Sequence, residues 1–230
     1  MNHTKMRLLN SDIDTVIFDL DGTLVDSMWM WTDIDIEYLS RFGFEFDKQL
    51  QIDIAGMSVT ETACYFREKY GIPRTIEQII GDWIEMSYDK YKNEVGLKPY
   101  AVELLDYFRS EGIKLGIASS NAIDMIEVCL DSNGIRDRFD VIVTSDQAER
   151  GKPYPDVYLL AAERLGAEPE RCLVFEDIPA GIMAAKAAGM KAVAVYDRFS
   201  EEADAEKHRL ADMYCQDFSD FMKAEGIITD

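Results

Sequence analysis

Asp19 and Asp21, one residue apart in Thr15-Val16-Ile17-Phe18-Asp19-Leu20-Asp21-Gly22-Thr23, are the first residues of the chain whose types and spacing invite chemistry. The β-branched and aromatic run before them reads as a strand buried on both faces, and such strands in α/β proteins present functional groups at their carboxyl ends. If Asp19 ends the strand, Asp21 lies in the turn that Gly22 allows, Thr23 helps to fix the loop, and both carboxylates can face one small volume. Like charges so placed need a shared proton or a cation, and a hard divalent ion with oxygen ligands is the usual solution. A plain strand followed by an Asp-Gly turn has the same local signature, so the rest of the chain must decide between them.

Three later clusters bear on that choice. Ser119-Ser120-Asn121 closes an apolar run at what reads as a helix start, where hydroxyls and backbone amides make good oxyanion donors; an ordinary helix N-cap has the same appearance. Lys152, between Gly151 and Pro153 in a strongly acidic chain, suits a charge aimed at a phosphoryl group, with a solvated loop lysine as the plain alternative. Glu176-Asp177 directly follow the apolar Cys172-Leu173-Val174-Phe175, a place where acids are expensive unless water, a cation or donors meet them. Together with Asp19 and Asp21 they form an oxygen-only set suited to Mg²⁺.

The elements that would position these residues follow from periodicity. Helical spacing runs from Met28 to Phe42 with Gly43 as a stop, then over roughly Asp47–Ala55, Ser58–Tyr70 and Thr75–Tyr91, with a break at Gly71-Ile72-Pro73. No strand is expected between Ser27 and Gly96, and the aromatic stripes of this stretch read as packing between helices. From Lys98 onward strand and helix alternate: helix to Ser110, strand Lys114–Ala118, helix Ala122–Asn133, strand Asp140–Val143, helix Asp156–Leu165, strand Cys172–Phe175, helix Pro179–Ala188 and strand Lys191–Val195. A short strand near Met213 and a helix over Asp217–Ala224 close the pattern.

Such alternation predicts a Rossmann-like, doubly wound α/β sheet of parallel strands with helices on both faces. Roughly seventy helical residues separate the first strand from its next βα partner, where a whole βαβ unit takes about thirty. The excess predicts an inserted all-helical cap, residues 26–97, on a core made of residues 1–25 and 98–230. Its connections, near Val25–Ser27 and Gly96–Pro99, are the expected hinges.

Composition narrows the partners. The 230 residues carry 24 Lys and Arg against 44 Asp and Glu, a formal charge of -20, which repels nucleic-acid backbones and anionic membranes. Cys64, Cys129, Cys172 and Cys215 are too widely spaced for a CxxC redox or zinc pattern and read as reduced, mostly buried thiols. The segment Met1–Asn10 has Lys5 and Arg7 but no apolar stretch after them, and no apolar run approaches a membrane span. The expectation is a cytoplasmic protein, monomeric or weakly dimeric, acting on a small molecule.

Asp19-Leu20-Asp21-Gly22-Thr23, Ser119 in Ala118-Ser119-Ser120-Asn121, Lys152 in Gly151-Lys152-Pro153-Tyr154-Pro155-Asp156, and Glu176-Asp177 followed by Gly181 resemble, in order, the four motifs of the haloacid dehalogenase superfamily. The helical insertion after the first motif is similar to the cap of its β-phosphoglucomutase-like subfamily. The resemblance implies Asp19 as a nucleophile forming an aspartyl-phosphate and Asp21 as acid/base. It implies Mg²⁺ held by Asp19, the Asp21 backbone carbonyl and Asp177, with Glu176 in support. Ser119 and Lys152, with Ser120 and Asn121 beside them, are the expected binders of the phosphoryl oxygens. Ile178, where relatives often carry a Ser, departs from the pattern and puts the outer support of the metal in doubt.

The expected function is a Mg²⁺-dependent phosphatase acting on a small phosphorylated metabolite such as a sugar phosphate. A β-phosphoglucomutase-like mutase is the second reading. That branch uses a cap His and a cap-loop Arg, and counting along this chain puts Trp31 and Val59 near those places; with Met57 they are the expected specificity residues. A dehalogenase is disfavoured because Asp21 is present, and a non-catalytic binding protein because every catalytic position is filled.

Overall fold

The computed structural model describes residues 8–9 and 12–229, so Lys5 and Arg7 lie outside the described residues. Six parallel strands form one sheet in the order β3-β2-β1-β4-β5-β6. They are β1 (Thr15–Phe18), β2 (Lys114–Ser119), β3 (Val141–Thr144), β4 (Cys172–Glu176), β5 (Lys191–Val195) and β6 (Met213–Cys215). The order reverses direction at β1, which pairs with β2 on one side and β4 on the other. Loops leaving the strand ends on either side of such a switch point diverge and open a crevice. The doubly wound α/β fold expected from the alternation is therefore the observed one.

Strand alternation decides which way the acids face. Val16 and Phe18 pack into one core layer with α5 (Ala101–Ser110) and α10 (Phe218–Glu225), where Phe18 stacks on Phe175 with ring centroids 4.8 Å apart. Ile17 and Val174 pack into the opposite layer with α7 (Asp156–Leu165) and α8 (Pro179–Ala187). The same alternation sends Glu176 toward α7 and α8. Gly181 lets it fit, because a Cβ there would stand 1.8 Å from Glu176 Oε1. On the β2–β3 side α6 (Ile123–Ser132) completes the first layer.

Between β1 and α5 the chain forms four helices, α1 (Met28–Ser40), α2 (Gln49–Ile54), α3 (Val59–Tyr70) and α4 (Ile76–Asn93). Ile34, Tyr38, Leu39, Phe66, Ile79 and Trp83 give them an apolar cluster of their own, as the aromatic stripes suggest. Reciprocal capping boxes start α3 (Ser58 with Glu61) and α4 (Thr75 with Gln78). The two connections to the sheet run side by side: Asp26 N–H donates to Gly96 O at 3.0 Å and Lys98 N–H to Leu24 O at 2.9 Å. The seam is not purely a hinge, since Met30 and Tyr91 at the base of the helices join the main core.

One helix, α9 (Asp204–Leu210), has no counterpart in the periodicity. Its sequence Asp-Ala-Glu-Lys-His-Arg-Leu lacks an apolar stripe, and its buried side chain is Lys207. Among the described residues no helix is long and apolar enough to cross a membrane. The four cysteines are free thiols, three buried and Cys64 half-buried.

Asp35, on the inner side of α1, is buried, and that burial pushes its carboxyl up from 3.8 to about 7. A raised value in the fold means that stability present below pH 3.8 is lost as pH rises through about 7, by at most about 4 kcal/mol. Asp35→Asn keeps the shape without the charge. Urea unfolding should find it close to wild type at pH 4 and more stable by up to a few kcal/mol at pH 8. A constant difference across that range would contradict the assignment.

Candidate active site

The oxygens of Asp19, Glu176 and Asp177, all buried, come within 4.8 Å of one another at the switch point. Lys152 reaches into them: its Nζ donates to Asp19 Oδ1 at 2.7 Å, to Glu176 Oε1 at 2.5 Å and to Ala118 O at 3.3 Å. Burial opposes the lysine's charge, but the Asp19 and Glu176 carboxylates outweigh it and raise its pKa above the ordinary value. Burial also pushes Asp19 up to about 7, Lys152 pulling it back and Glu176 adding to the rise. Asp177 is driven well up by burial and by Glu176 and Asp19. Three buried carboxylates against one lysine are short of positive charge, and an all-oxygen donor set of this kind fits a hard divalent cation.

The acids of the fourth motif have different surroundings. Glu176 is saturated: Oε1 accepts from Lys152 and, at 2.7 Å, from Tyr158 OH, while Oε2 accepts from the N–H groups of Asp177 at 3.0 Å and Ile178 at 3.3 Å. Asp177 accepts at Oδ1 from Thr23 Oγ1 at 3.0 Å. Gly22, at φ 79°, passes so close that a Cβ would lie 2.4 Å from Asp177 Oδ2, so the first-motif loop needs that glycine. A carboxylate with an oxygen to give is the better ligand. Isothermal titration of Mg²⁺ should therefore find Asp177→Asn weaker by about 10–100-fold and Glu176→Gln affected less. The reverse order would overturn this division.

Asp21 turns away from the cluster, leaving its backbone carbonyl as the group expected at a metal. Its carboxylate accepts from Ser27 Oγ at 2.6 Å, from Asn121 Nδ2 at 2.9 Å and, through a very short contact, from Tyr91 OH. Tyr91 OH in turn accepts from Asn121 Nδ2 at 2.6 Å and Trp31 Nε1 at 2.9 Å. Asn121, expected from the sequence beside the phosphoryl group, thus donates to both Asp21 and Tyr91, and Trp31, expected as a specificity residue, donates to Tyr91. Tyr91→Phe removes a direct donor to Asp21. Turnover of a sugar phosphate should fall about tenfold, a fraction of what general acid–base catalysis contributes, and less with the activated ester p-nitrophenyl phosphate. Equal loss with both substrates would contradict a role through Asp21.

Of the other expected residues, Ser119 is buried at the end of β2, its Oγ accepting from Asn121 N–H at 3.1 Å. Ser120 meets the helical insertion: its Oγ donates to Gly56 O at 3.2 Å and its carbonyl accepts from Val59 N–H at 3.1 Å. Met57 in the loop before α3 and Val59 at its first turn, both half-buried, belong to this contact. The loop presses on the third motif, where a Cβ on Gly151 would come within 2.4 Å of Glu61 Oε2.

Tyr158, Tyr91 and Ser27 were not singled out by the sequence. Tyr91 and Tyr158 sit in apolar helical stripes where a tyrosine looks like core, and only the fold brings their hydroxyls to strand ends.

The model of the haloacid dehalogenase-like hydrolases matches residues 16–195, from β1 to the end of β5, and so spans all four motifs. The chain belongs to that family. Among curated family members, the fructose-1-phosphate phosphatase of Escherichia coli K12 is 32% identical over 180 residues, covering 78% of this chain and 95% of that one. The bifunctional riboflavin kinase/FMN phosphatase of Arabidopsis thaliana is 34% identical over 181 residues, 78% of this chain but 48% of that longer protein. This chain therefore spans about half the length of the plant relative. A β-phosphoglucomutase from Clostridium difficile shares the fold at TM-score 0.78, with 23% identity over 94% of this chain and 98% of its own. The helical insertion is part of that likeness, as the sequence resemblance implies.

Proposed function

We propose that this hydrolase is a Mg²⁺-dependent phosphatase that releases phosphate from a small phosphorylated metabolite, a sugar phosphate or similar monoester, through an aspartyl-phosphate on Asp19. The observation that carries the reading is the buried convergence of Asp19, Glu176 and Asp177 on Lys152 at the switch point. Phosphatase names among the relatives support the reaction class.

Asp19 attacks phosphorus, the bond to the leaving oxygen breaks, and Asp21 gives that oxygen its proton. Asp21 then takes a proton from water, whose oxygen attacks the same phosphorus and frees Asp19 and phosphate. Lys152 and the hydroxyl of Ser119 would steady the phosphoryl oxygens as charge moves. Mg²⁺, held by Asp19, Asp177 and the Asp21 carbonyl with Glu176 behind them, would neutralise charge on the transferring group.

Hydrolysis is favoured over isomerisation by the groups that the helical insertion brings to the crevice. Met57 and Val59 carry no charge to grip a second phosphate, and the Trp31 N–H is taken by Tyr91. Free phosphate should be released from a panel of sugar phosphates with Mg²⁺ and not after chelation with EDTA. With β-glucose 1-phosphate and a trace of the bisphosphate, glucose 6-phosphate forming faster than free phosphate would replace this reading by the mutase.

A further inference from the structure

The back of the Asp177 loop is held by a segment that no motif includes. Beyond β5 the chain makes a 3₁₀ turn over Arg198–Ala203 and enters α9. Ser200 Oγ in that turn donates to the backbone carbonyl of Asp177 at 2.8 Å. Behind it stands Lys207, wholly buried, whose Nζ donates to Ser200 Oγ at 3.0 Å and lies 2.6 Å from Asp204 Oδ1. The turn is pinned at its start as well. Asp197 Oδ1 accepts from Phe199 N–H at 2.8 Å, and Asp197 Oδ2 pairs at 2.6 Å with Lys98 Nζ, from the second connection to the helical insertion. Ile178, next to Asp177, brings no polar side chain of its own to the loop.

A buried lysine is expensive, and this one spends a donor on orienting a single serine hydroxyl. With Lys207 Nζ donating to its lone pair, the hydroxyl keeps its one proton for an acceptor, and the Asp177 carbonyl at 2.8 Å is nearer than that of Asp197 at 3.3 Å. We infer that Ser200, oriented by Lys207, is a positioning residue for Asp177: it fixes the carbonyl of the loop and so the direction in which the carboxylate is presented to a cation. Groups that orient a metal ligand typically change metal affinity when removed, even without touching the metal. The inference rests on the metal reading proposed above, and its test separates the two.

Mg²⁺ binding is measured by isothermal titration on the full chain without substrate, for wild type, Ser200→Ala, Ser200→Thr and Lys207→Met. Ser200→Ala should remain folded and bind Mg²⁺ about tenfold more weakly, while Ser200→Thr, which keeps the donor, stays near wild type. In turnover assays Ser200→Ala should need about tenfold more Mg²⁺ for half-maximal rate yet approach the wild-type rate at saturation. Lys207→Met should move Mg²⁺ affinity in the same direction, and if it fails to fold the serine pair alone decides. Affinity of Ser200→Ala within twofold of wild type overturns the positioning role and leaves the phosphatase reading intact. A wild type that binds no Mg²⁺ overturns both.

Discussion

Asp19→Asn should fold, bind Mg²⁺ more weakly and turn over substrate at least about 10⁴-fold more slowly, because an amide cannot take the phosphoryl group and nucleophile losses in comparable enzymes are of that order. The fold should survive. Lys152 keeps Glu176 at 2.5 Å, and the amide oxygen still accepts from its ammonium. Stability supplies an internal control. The Asp19 carboxyl is raised from 3.8 to about 7, so the wild-type fold without metal holds this proton more tightly than the unfolded chain and loses stability as pH rises through about 7. The asparagine variant escapes that loss and should melt no lower than metal-free wild type at pH 8. More than about a tenth of wild-type activity remaining would remove Asp19 from the nucleophile's place.

Lys152→Met should carry the second-largest effect, on two readouts. Removing the ammonium leaves Asp19 and Glu176 buried side by side without their shared counter-charge, and breaking a buried pair in this way costs about 3–5 kcal/mol. Turnover should also fall about 10²–10³-fold, the usual effect of deleting a donor to developing charge. Adding Glu176→Gln to Lys152→Met separates the two: the double variant relieves one of the stranded charges and should recover part of the stability but none of the rate. A Lys152→Met protein within about 1 kcal/mol of wild type would mean that the cluster does not depend on this lysine.

The parts of this site that could be read from the chain are those encoded next to a strand end. The run Thr15–Phe18 announces a buried strand, and Asp19 and Asp21 follow it. Glu176 and Asp177 follow Phe175 in the same way, and the crossover rule for parallel strands brings the two ends together. What local pattern cannot carry is the set of contacts made across the fold. Tyr91 reaches Asp21 from 70 positions away and Asn121 from 100, each a short-range bond between residues whose sequence neighbours say nothing of the partner. Trp31 shows the same limit: its place in α1 follows from the helical spacing, but its hydrogen bond to Tyr91, 60 positions away, does not. α9 was missed for a different reason. Its helix buries a lysine where periodicity looks for an apolar stripe, and the partners of Lys207, Ser200 and Asp204 with the rings of Tyr196 and Tyr214, are supplied by the fold.

The central claim is that the phosphoryl group passes through Asp19. Its most direct test is acid quenching of Asp21→Asn within milliseconds of mixing with p-nitrophenyl phosphate and Mg²⁺, followed by mass spectrometry of the digested chain. The activated leaving group needs little help from Asp21 to depart, whereas the water that clears the adduct does, so the intermediate should accumulate. One phosphoryl group on the peptide containing Asp19, lost on hydroxylamine treatment and absent from an Asp19→Asn/Asp21→Asn protein, is the predicted result. Nitrophenol released together with an equal amount of free phosphate, with no modified peptide at any time, would contradict it.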